Sequence, residues 1–208
     1  MPQHPYTLLL NSGGMQSLVA TAMHAELRLA ILYIHDGRPN GEHRHACSNM
    51  QADHYKIARR QEIVMPHLAA SGAALDVTQP PSRHAMADVQ ILSAAVGVAV
   101  QLKADRVIWP QQVGGELTRV AGATETVMLL QQMLKLEIGR EVPIDTPLIE
   151  MTGRQLVEVG HTLDVPWQMA RSCDGPRPEP CGECFGCRKR HESFRAAGLE
   201  DPLHSHAH

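Results

Sequence analysis

Apolar and polar positions alternate along the first half of the chain with two different periods. Tyr6 to Leu10 and Leu29 to Ile34 are short, nearly continuous apolar runs that read as buried strands. Each is followed by a polar turn and then by a segment of helical spacing. Leu18 to Leu27 is the first such segment, with Leu18, Ala22 and Ala25 on one face. Past the turn-rich stretch from Asp36 to Gly41, the pattern predicts a long polar helix between Ala46 and Ala70, with Pro66 as a kink or stop. Ala73 to Val77 predicts a third strand, closed by Pro80 and Pro81. Ile91, Ala95, Val98 and Leu102 recur at spacings of four, three and four, which makes one apolar stripe on a helix. Arg106 to Trp109 predicts a fourth strand ended by Pro110. Gly114 and Gly115 then mark a loop, Val127, Leu130 and Leu134 another helix, and Thr152 to Leu163 a shorter one after the turn at Pro147. Strands alternating with helices give an α/β fold class with a parallel, Rossmann-like sheet.

From Pro166 onward the pattern changes. Pro176, Pro178 and Pro180 are interleaved with four cysteines, and a basic helix follows from Arg188 to Ala197. The expected organisation is an α/β domain over 1–165, a small cysteine-bearing segment over 166–203, and a disordered tail over 204–208. No internal repeat is present. Over 208 residues there is room for a sizeable core. The net charge of −3 gives no global attraction to nucleic acid or to an anionic membrane. Aromatic residues are 3% of the chain, which argues against stacking platforms for single-stranded nucleic acid. The longest weakly polar run, Ile91 to Val100, falls well short of the roughly 20 residues that span a bilayer. The start, Met-Pro-Gln-His-Pro, lacks the basic and apolar regions of an export signal, so the expected compartment is the cytoplasm.

Cys173, Cys181, Cys184 and Cys187 form the pattern C-x7-C-x2-C-x2-C. Two-residue spacers let neighbouring thiolates converge on one ion, and a distant first ligand closes a tetrahedron, so the expected occupant is a structural Zn²⁺ with no open position. Such a centre carries about −2 by formal count, which Arg171, Arg188, Lys189 and Arg190 are placed to offset. The rival is an iron–sulfur cluster, because C-x2-C-x2-C also occurs in ferredoxin-type runs. Cys47 stands apart among His43, His45 and His54 and reads as a bystander, with a second metal site there as the minor alternative.

Leu8 to Ser17 reads as a strand running into Asn11-Ser12-Gly13-Gly14 and then a helix. This is an anion-binding layout: Gly13 and Gly14 let the backbone curl with its amides inward, the helix N-terminus adds a positive end, and Ser12 and Ser17 offer hydroxyl donors. Ligands of open α/β sheets lie beyond the carboxyl ends of the strands, where this loop falls. The run is neither a Walker loop nor a G-x-G-x-x-G fingerprint, and a plain strand-to-helix turn is the alternative. Asp36, at the end of the second strand, reads first as a solvated turn residue and second as a polar contact to a ligand.

Both ends of the chain resemble a known family. Ser12-Gly13-Gly14-Met15-Gln16-Ser17 resembles the SGGxDS pyrophosphate loop of the PP-loop ATP pyrophosphatases. Arg171-Ser172-Cys173, then Pro180-Cys181-Gly182-Glu183-Cys184, Cys187 and Arg190, resemble the zinc segment of the 7-cyano-7-deazaguanine synthases of queuosine biosynthesis, and the likeness runs on through Phe194, Ala197, Gly198, Asp201 and Pro202. Pro147-Leu148-Ile149 with Thr152 fits the stretch before that segment. The resemblance implies an adenine nucleotide α-hydrolase-like fold and an ATP-dependent C–N ligation. A carboxylate of a small-molecule acid, in this family a deazapurine, is adenylated with loss of pyrophosphate, and ammonia displaces AMP. It implies Mg²⁺ with the ATP, pyrophosphate binding by Ser12, Gly13, Gly14 and Ser17, and a homodimer.

The chain departs from the family pattern at several points. Gln16 stands in place of the loop aspartate, Gly153 in place of a lysine, and Asp174 in place of a tyrosine. Pro110-Gln111-Gln112-Val113-Gly114-Gly115-Glu116 replaces a Tyr-Pro-Asp-Cys-Arg segment, and Arg83-His84 approximates an arginine–asparagine element. Three readings follow. The first is an ATP-dependent ligase whose catalytic residues the sequence does not identify. The second is a non-catalytic or regulatory homologue, favoured by Gln16. The third is a zinc-bearing nucleic-acid module resting on Arg188, Lys189, Arg190 and Arg195, a cluster that reads more readily as a solvated helix face.

Overall fold

The computed structural model describes residues 4–68, 86–114 and 117–203. Five strands, β1 (Thr7–Leu10), β2 (Leu29–His35), β3 (Arg59–Val64), β4 (Arg106–Ile108) and β5 (Ile144–Asp145), form one sheet in the order β3-β2-β1-β4-β5. Every neighbouring pair is parallel. Six helices connect or follow them: α1 (Met15–Met23), α2 (Gly41–His54), α3 (Ala87–Gln101), α4 (Leu117–Ile138), α5 (Gly153–Thr162) and α6 (Phe185–Ala196). A parallel sheet needs both faces covered, and side-chain alternation divides the core accordingly. Leu8, Leu10, Ala30 and Leu32 face Leu92, Val96 and Leu130 of α3 and α4, while Leu9 and Ile108 face Leu18, Val19, Leu156 and Phe194 on the other side. Burying each of these leucine, isoleucine or valine side chains contributes about 1.5–3 kcal/mol.

The α/β class with a parallel sheet is therefore as the sequence pattern predicts, and the main differences lie in its third unit. The polar stretch expected as one helix from Ala46 to Ala70 is a shorter helix, α2, and a strand, β3. Lys56, at φ 56°, breaks the helix in the left-handed region, and Ile57 then buries against Leu29 and Ile31. Among the described residues β3 is the edge strand of the sheet, and its Arg59-Arg60-Gln61-Glu62 run hides the strand from any hydrophobic pattern. The strand expected over Ala73–Val77, its closing Pro80 and Pro81, the Arg83-His84 element, Gly115, Glu116 and the tail 204–208 lie outside the described residues. β5, with only two residues, leaves no periodic signal.

The C-terminal segment joins the main core. Phe194 of α6 meets Trp167 edge to face at 5.2 Å, and both pack with Leu156 of α5. Gly160 permits this approach, since a Cβ there would lie 2.3 Å from the Trp167 ring. α5 starts on a capping box in which Thr152 accepts from the Gln155 amide at 3.2 Å and the Gln155 side chain accepts from the Thr152 amide at 2.9 Å. Arg190 is buried in α6 and clamps Asp201 through two hydrogen bonds of 2.8 Å, while donating to the carbonyls of Ala170 and Trp167 at 2.8 and 3.1 Å. Removing one member of such a pair leaves a buried charge without its partner. Asp201→Ala is expected to lower stability by about 3–5 kcal/mol, read as a lower urea midpoint with an unchanged denaturant slope.

Candidate functional site

The strand order reverses direction between β1 and β4, so the loops that leave their carboxyl ends flank a crevice. One of them is Asn11-Ser12-Gly13-Gly14. Asn11 shapes it by accepting from the Gly13 amide at 2.8 Å while its amide donates to Gln51 of α2 at 3.0 Å. Gly13 turns at φ 69°, and a Cβ there would lie 2.0 Å from the carbonyl oxygen of Arg44, so only glycine fits. The Ser17 hydroxyl accepts from the Ser12 amide at 2.9 Å and lies 3.1 Å from the Ser12 hydroxyl. Gly14 is the N-cap of α1 and supplies no side-chain cap, and the first turn carries no acidic residue. Ser12, Gly13, Gly14 and Ser17 are thus gathered at a helix N-terminus whose amides lack an intrahelical acceptor.

This loop opens on a cavity of about 470 Å³, lined by Ser12, Gly14 and Ser17 among others. Six cationic side chains reach its wall: Arg38, Arg44, Arg119, Arg171, Lys189 and Arg190. Three acids, Asp36, Asp88 and Asp174, face them. Arg44 of α2 donates to the Ser12 carbonyl at 3.0 Å and to its hydroxyl at 3.2 Å. Burial and the charge of Arg38 push the Arg44 pKa down to about 10, which leaves it protonated at neutral pH. Burial also lowers the Lys189 pKa, with Arg119 adding to the effect. Burial acts to raise the Asp36 pKa, yet the charge and hydrogen bonds of Arg38 outweigh it and hold the carboxyl below its ordinary value. Asp36, expected first as a solvated turn residue, therefore lines the cavity as the anchor of Arg38. Trp109, at the end of β4, and Phe185 add aromatic surface.

Arg171 links loop and cysteine segment. Its amide donates to the Gly13 carbonyl at 2.8 Å, and its guanidinium donates to the carbonyls of Pro178 and Gly175 at 2.6 and 2.9 Å. The donor atoms of Cys173, Cys181, Cys184 and Cys187 lie within 4.8 Å of one another. Backbone amides point at them: Asp174 and Cys187 donate to Cys184 at 3.3 and 3.4 Å, Cys181 to Cys173 at 3.4 Å, and Cys184 to Cys181 at 3.3 Å. Amides aimed at sulfur stabilise thiolates, so this donor set fits a metal ion. Cys47 is buried in α2 and does not belong to this group. His43 turns to the Pro176 carbonyl at 2.8 Å, His54 packs on Tyr55, and His45 meets Glu62, so no site forms around Cys47 among the described residues.

Sequence reasoning missed Arg38, Arg44 and Arg119. Each comes from a polar stretch with no motif, and only folding brings them to one cavity. The basic run of α6 does not form one exposed face either, because Arg190 is buried on Asp201 while Lys189 borders the cavity.

A parallel sheet with a Ser-Gly-Gly turn at its reversal point defines an open, Rossmann-like α/β protein. The family model described as queuosine biosynthesis protein QueC matches residues 6–198, and the chain belongs to that family. It is 28% identical over 214 residues to a 7-cyano-7-deazaguanine synthase of Chlorobaculum parvum, covering 94% of both chains. It is 30% identical over 217 residues to the synthase of Chlorobium phaeobacteroides, covering 94% of this chain and 95% of that one. Two solved structures share the fold at 16% identity and a TM-score of 0.52. NMN synthetase from Francisella tularensis is matched over 96% of this chain and 79% of its own. The U34-tRNA thiolase NcsA from Methanococcus maripaludis, with its [4Fe-4S] cluster, is matched over 99% and 74%. No helix among the described residues is long and apolar enough to cross a membrane.

Gly13→Ala is expected to lower stability by at least about 1 kcal/mol, because the new methyl meets backbone in a left-handed conformation. Urea denaturation measures this, and a control Gly122→Ala on α4, where a Cβ meets nothing within 4 Å, should not destabilise.

Proposed function

We propose that the chain binds ATP with Mg²⁺ at the Ser12–Ser17 loop and adenylates a carboxylate or carbonyl oxygen of a small-molecule acid for attack by ammonia or another nitrogen nucleophile. The observation that carries this reading is the uncapped N-terminus of α1, opening on a cavity with three more cations than acids. Family membership supports it, and the activity for which the relatives are named, 7-cyano-7-deazaguanine synthesis, points to a deazapurine acid as substrate. An acid oxygen attacks the α-phosphorus, the bond to the oxygen bridging α and β breaks, and pyrophosphate leaves with that electron pair. The nitrogen then attacks the activated carbon, AMP leaves, and the proton goes to solvent. Loop amides and the Ser12 and Ser17 hydroxyls would hold the β- and γ-phosphates, stabilising the charge that grows on pyrophosphate. Arg44 orients Ser12 for that contact. Mg²⁺ bound with the nucleotide would neutralise part of the same charge. Cys173, Cys181, Cys184 and Cys187 would hold a structural Zn²⁺, four thiolates leaving no open position for substrate. In this reading 1–165 is the nucleotide-binding domain and 166–203 the metal-binding segment.

A non-catalytic, nucleotide-binding homologue is the second reading, and one contact favours it. Gln16 donates to the Gln112 side chain at 3.1 Å, so the position that carries the family's loop carboxylate holds a neutral amide tied to the opposite wall. Calorimetric titration of Mg·ATP into the zinc-loaded protein separates the readings from a mere turn: micromolar binding is expected, with AMP and GTP weaker. Binding with pyrophosphate release stimulated by an added 7-carboxy-7-deazaguanine supports the ligase, and binding without release supports the homologue. Gln16→Asp should raise ATP turnover about ten-fold or more if the missing carboxylate limits the rate, equivalent to about 1.4 kcal/mol of barrier.

A homodimer is also proposed, with the α4 face that leaves Leu129, Met133 and Leu136 in solvent as its interface. Light scattering should give twice the chain mass for the unaltered protein and the single mass for Leu129→Glu with Met133→Glu.

A further inference from the structure

The seam between α2 and the edge strand β3 is polar along its whole length. His45, Asn49 and Asp53 succeed one another at four-residue spacing on α2 and so share one face. Glu62 and Arg60 lie two apart on β3 and point to the same side of the sheet. At the amino end of the strands the seam is an ordinary charge pair, Arg60 with Asp53, assisted by Asn49, whose side-chain oxygen accepts from Arg60 at 3.4 Å. At the carboxyl end its chemistry changes. Tyr33 pairs in register with Glu62, and His35, two residues along, points to the same side. There the Nε2 atoms of His35 and His45 converge on the two carboxylate oxygens of Glu62, each at 2.9 Å.

We propose that His35, His45 and Glu62 form a second metal site, which takes a divalent transition cation of the zinc type through two imidazole nitrogens and one carboxylate. The three donor atoms lie within 4.8 Å of one another and come from three different elements, β2, α2 and β3. Bond lengths of about 2.0–2.1 Å in a tetrahedron place ligands about 3.3 Å apart, so small side-chain rotations suffice. The imidazoles are held in place: the Tyr33 ring lies 4.9 Å from His35 and 4.8 Å from His45, and its hydroxyl is anchored on the Gly41 carbonyl at 2.8 Å. Hydrogen bonding alone leaves a conflict at His45. Its Nε2 faces Glu62 at 2.9 Å, which calls for a proton on that nitrogen, and the Asn49 side-chain nitrogen at 3.1 Å, which calls for a lone pair. The Asn49 oxygen is already directed to Arg60, which fixes that amide. A cation between His45 and Glu62 takes the nitrogen lone pair and the carboxylate charge together. Imidazole donors select zinc or its neighbours over magnesium or calcium. Two histidines and one carboxylate leave the fourth position open to water or another oxygen or nitrogen donor. Side-chain exposures of 35%, 27% and 46% for His35, His45 and Glu62 are consistent with that opening.

The inference is independent of the nucleotide reading, and its test uses metal alone. The full chain is loaded with zinc, passed through metal-free buffer, and its zinc counted by mass spectrometry beside His35→Ala with His45→Ala. Two equivalents are expected in the unaltered protein and one in the variant, with unchanged circular dichroism. Titration with Co²⁺ gives a readout that needs no variant. One equivalent should carry thiolate charge-transfer absorption, and another should add d–d bands without it. A single equivalent bearing thiolate bands in the unaltered protein overturns the proposal. So do two equivalents in protein and variant alike, since the second ion would then reside elsewhere, for instance on the histidines of the tail.

Discussion

The architecture of the cavity depends on one backbone position that cannot carry a side chain. Gly13 turns at φ 69° against the Arg44 carbonyl, and its own carbonyl accepts from the Arg171 amide at 2.8 Å. Three segments far apart in sequence therefore meet at this residue: the loop after β1, the first half of α2, and the approach to the cysteines. The consequence is electrostatic. Packing α2 against the loop brings Arg44 onto Ser12, and docking the C-terminal segment brings Arg171 and Lys189 to the same cavity. A helix N-terminus alone is a weak anion site. Surrounded by partly desolvated guanidinium groups, it becomes a strong one.

The cysteine segment is held from both sides. Arg171 gathers its carbonyls at one end, and the buried pair of Arg190 and Asp201 fixes α6 at the other. Between these anchors, amide-to-sulfur bonds shape the four-cysteine loop. Because Lys189 and Arg190 are neighbours on α6, an ion in that loop would order one wall of the cavity from a distance. Folding and site assembly are thus coupled through the same turn of helix.

Local chemistry made some of this legible in the sequence. The strand, Ser-Gly-Gly turn and helix at Leu8–Ser17 follow from glycine's backbone freedom and an apolar run, and both occur within ten residues. The cysteine spacing is equally local. β3 was not legible, since pairing with β2 rather than an apolar pattern makes Arg59–Val64 a strand. Nor were the arginines of the cavity, because Arg38 and Arg44 come from the connection after β2 and Arg119 from the one after β4, and these meet only through the strand order. The convergence of His35, His45 and Glu62 is illegible for the same reason, since nothing in a polar run shows that Glu62 stands opposite Tyr33 in the sheet.

The departures from the family pattern are not scattered. Gln16, in place of the loop aspartate, bonds to Gln112, which lies in the replaced segment after β4. Gly153, in place of a lysine, leaves room for Ser193, whose hydroxyl would lie 2.2 Å from a Cβ at that position. Asp174, in place of a tyrosine, accepts from the Gly186 amide at 2.9 Å, and Gly186 in turn tolerates no Cβ against the Ser172 carbonyl. Each of these three residues has a neighbour that fits its size or polarity. These paired contacts around an intact Ser-Gly-Gly turn show that the wall opposite the loop is packed as a unit, each departure fitted to its neighbour rather than standing alone.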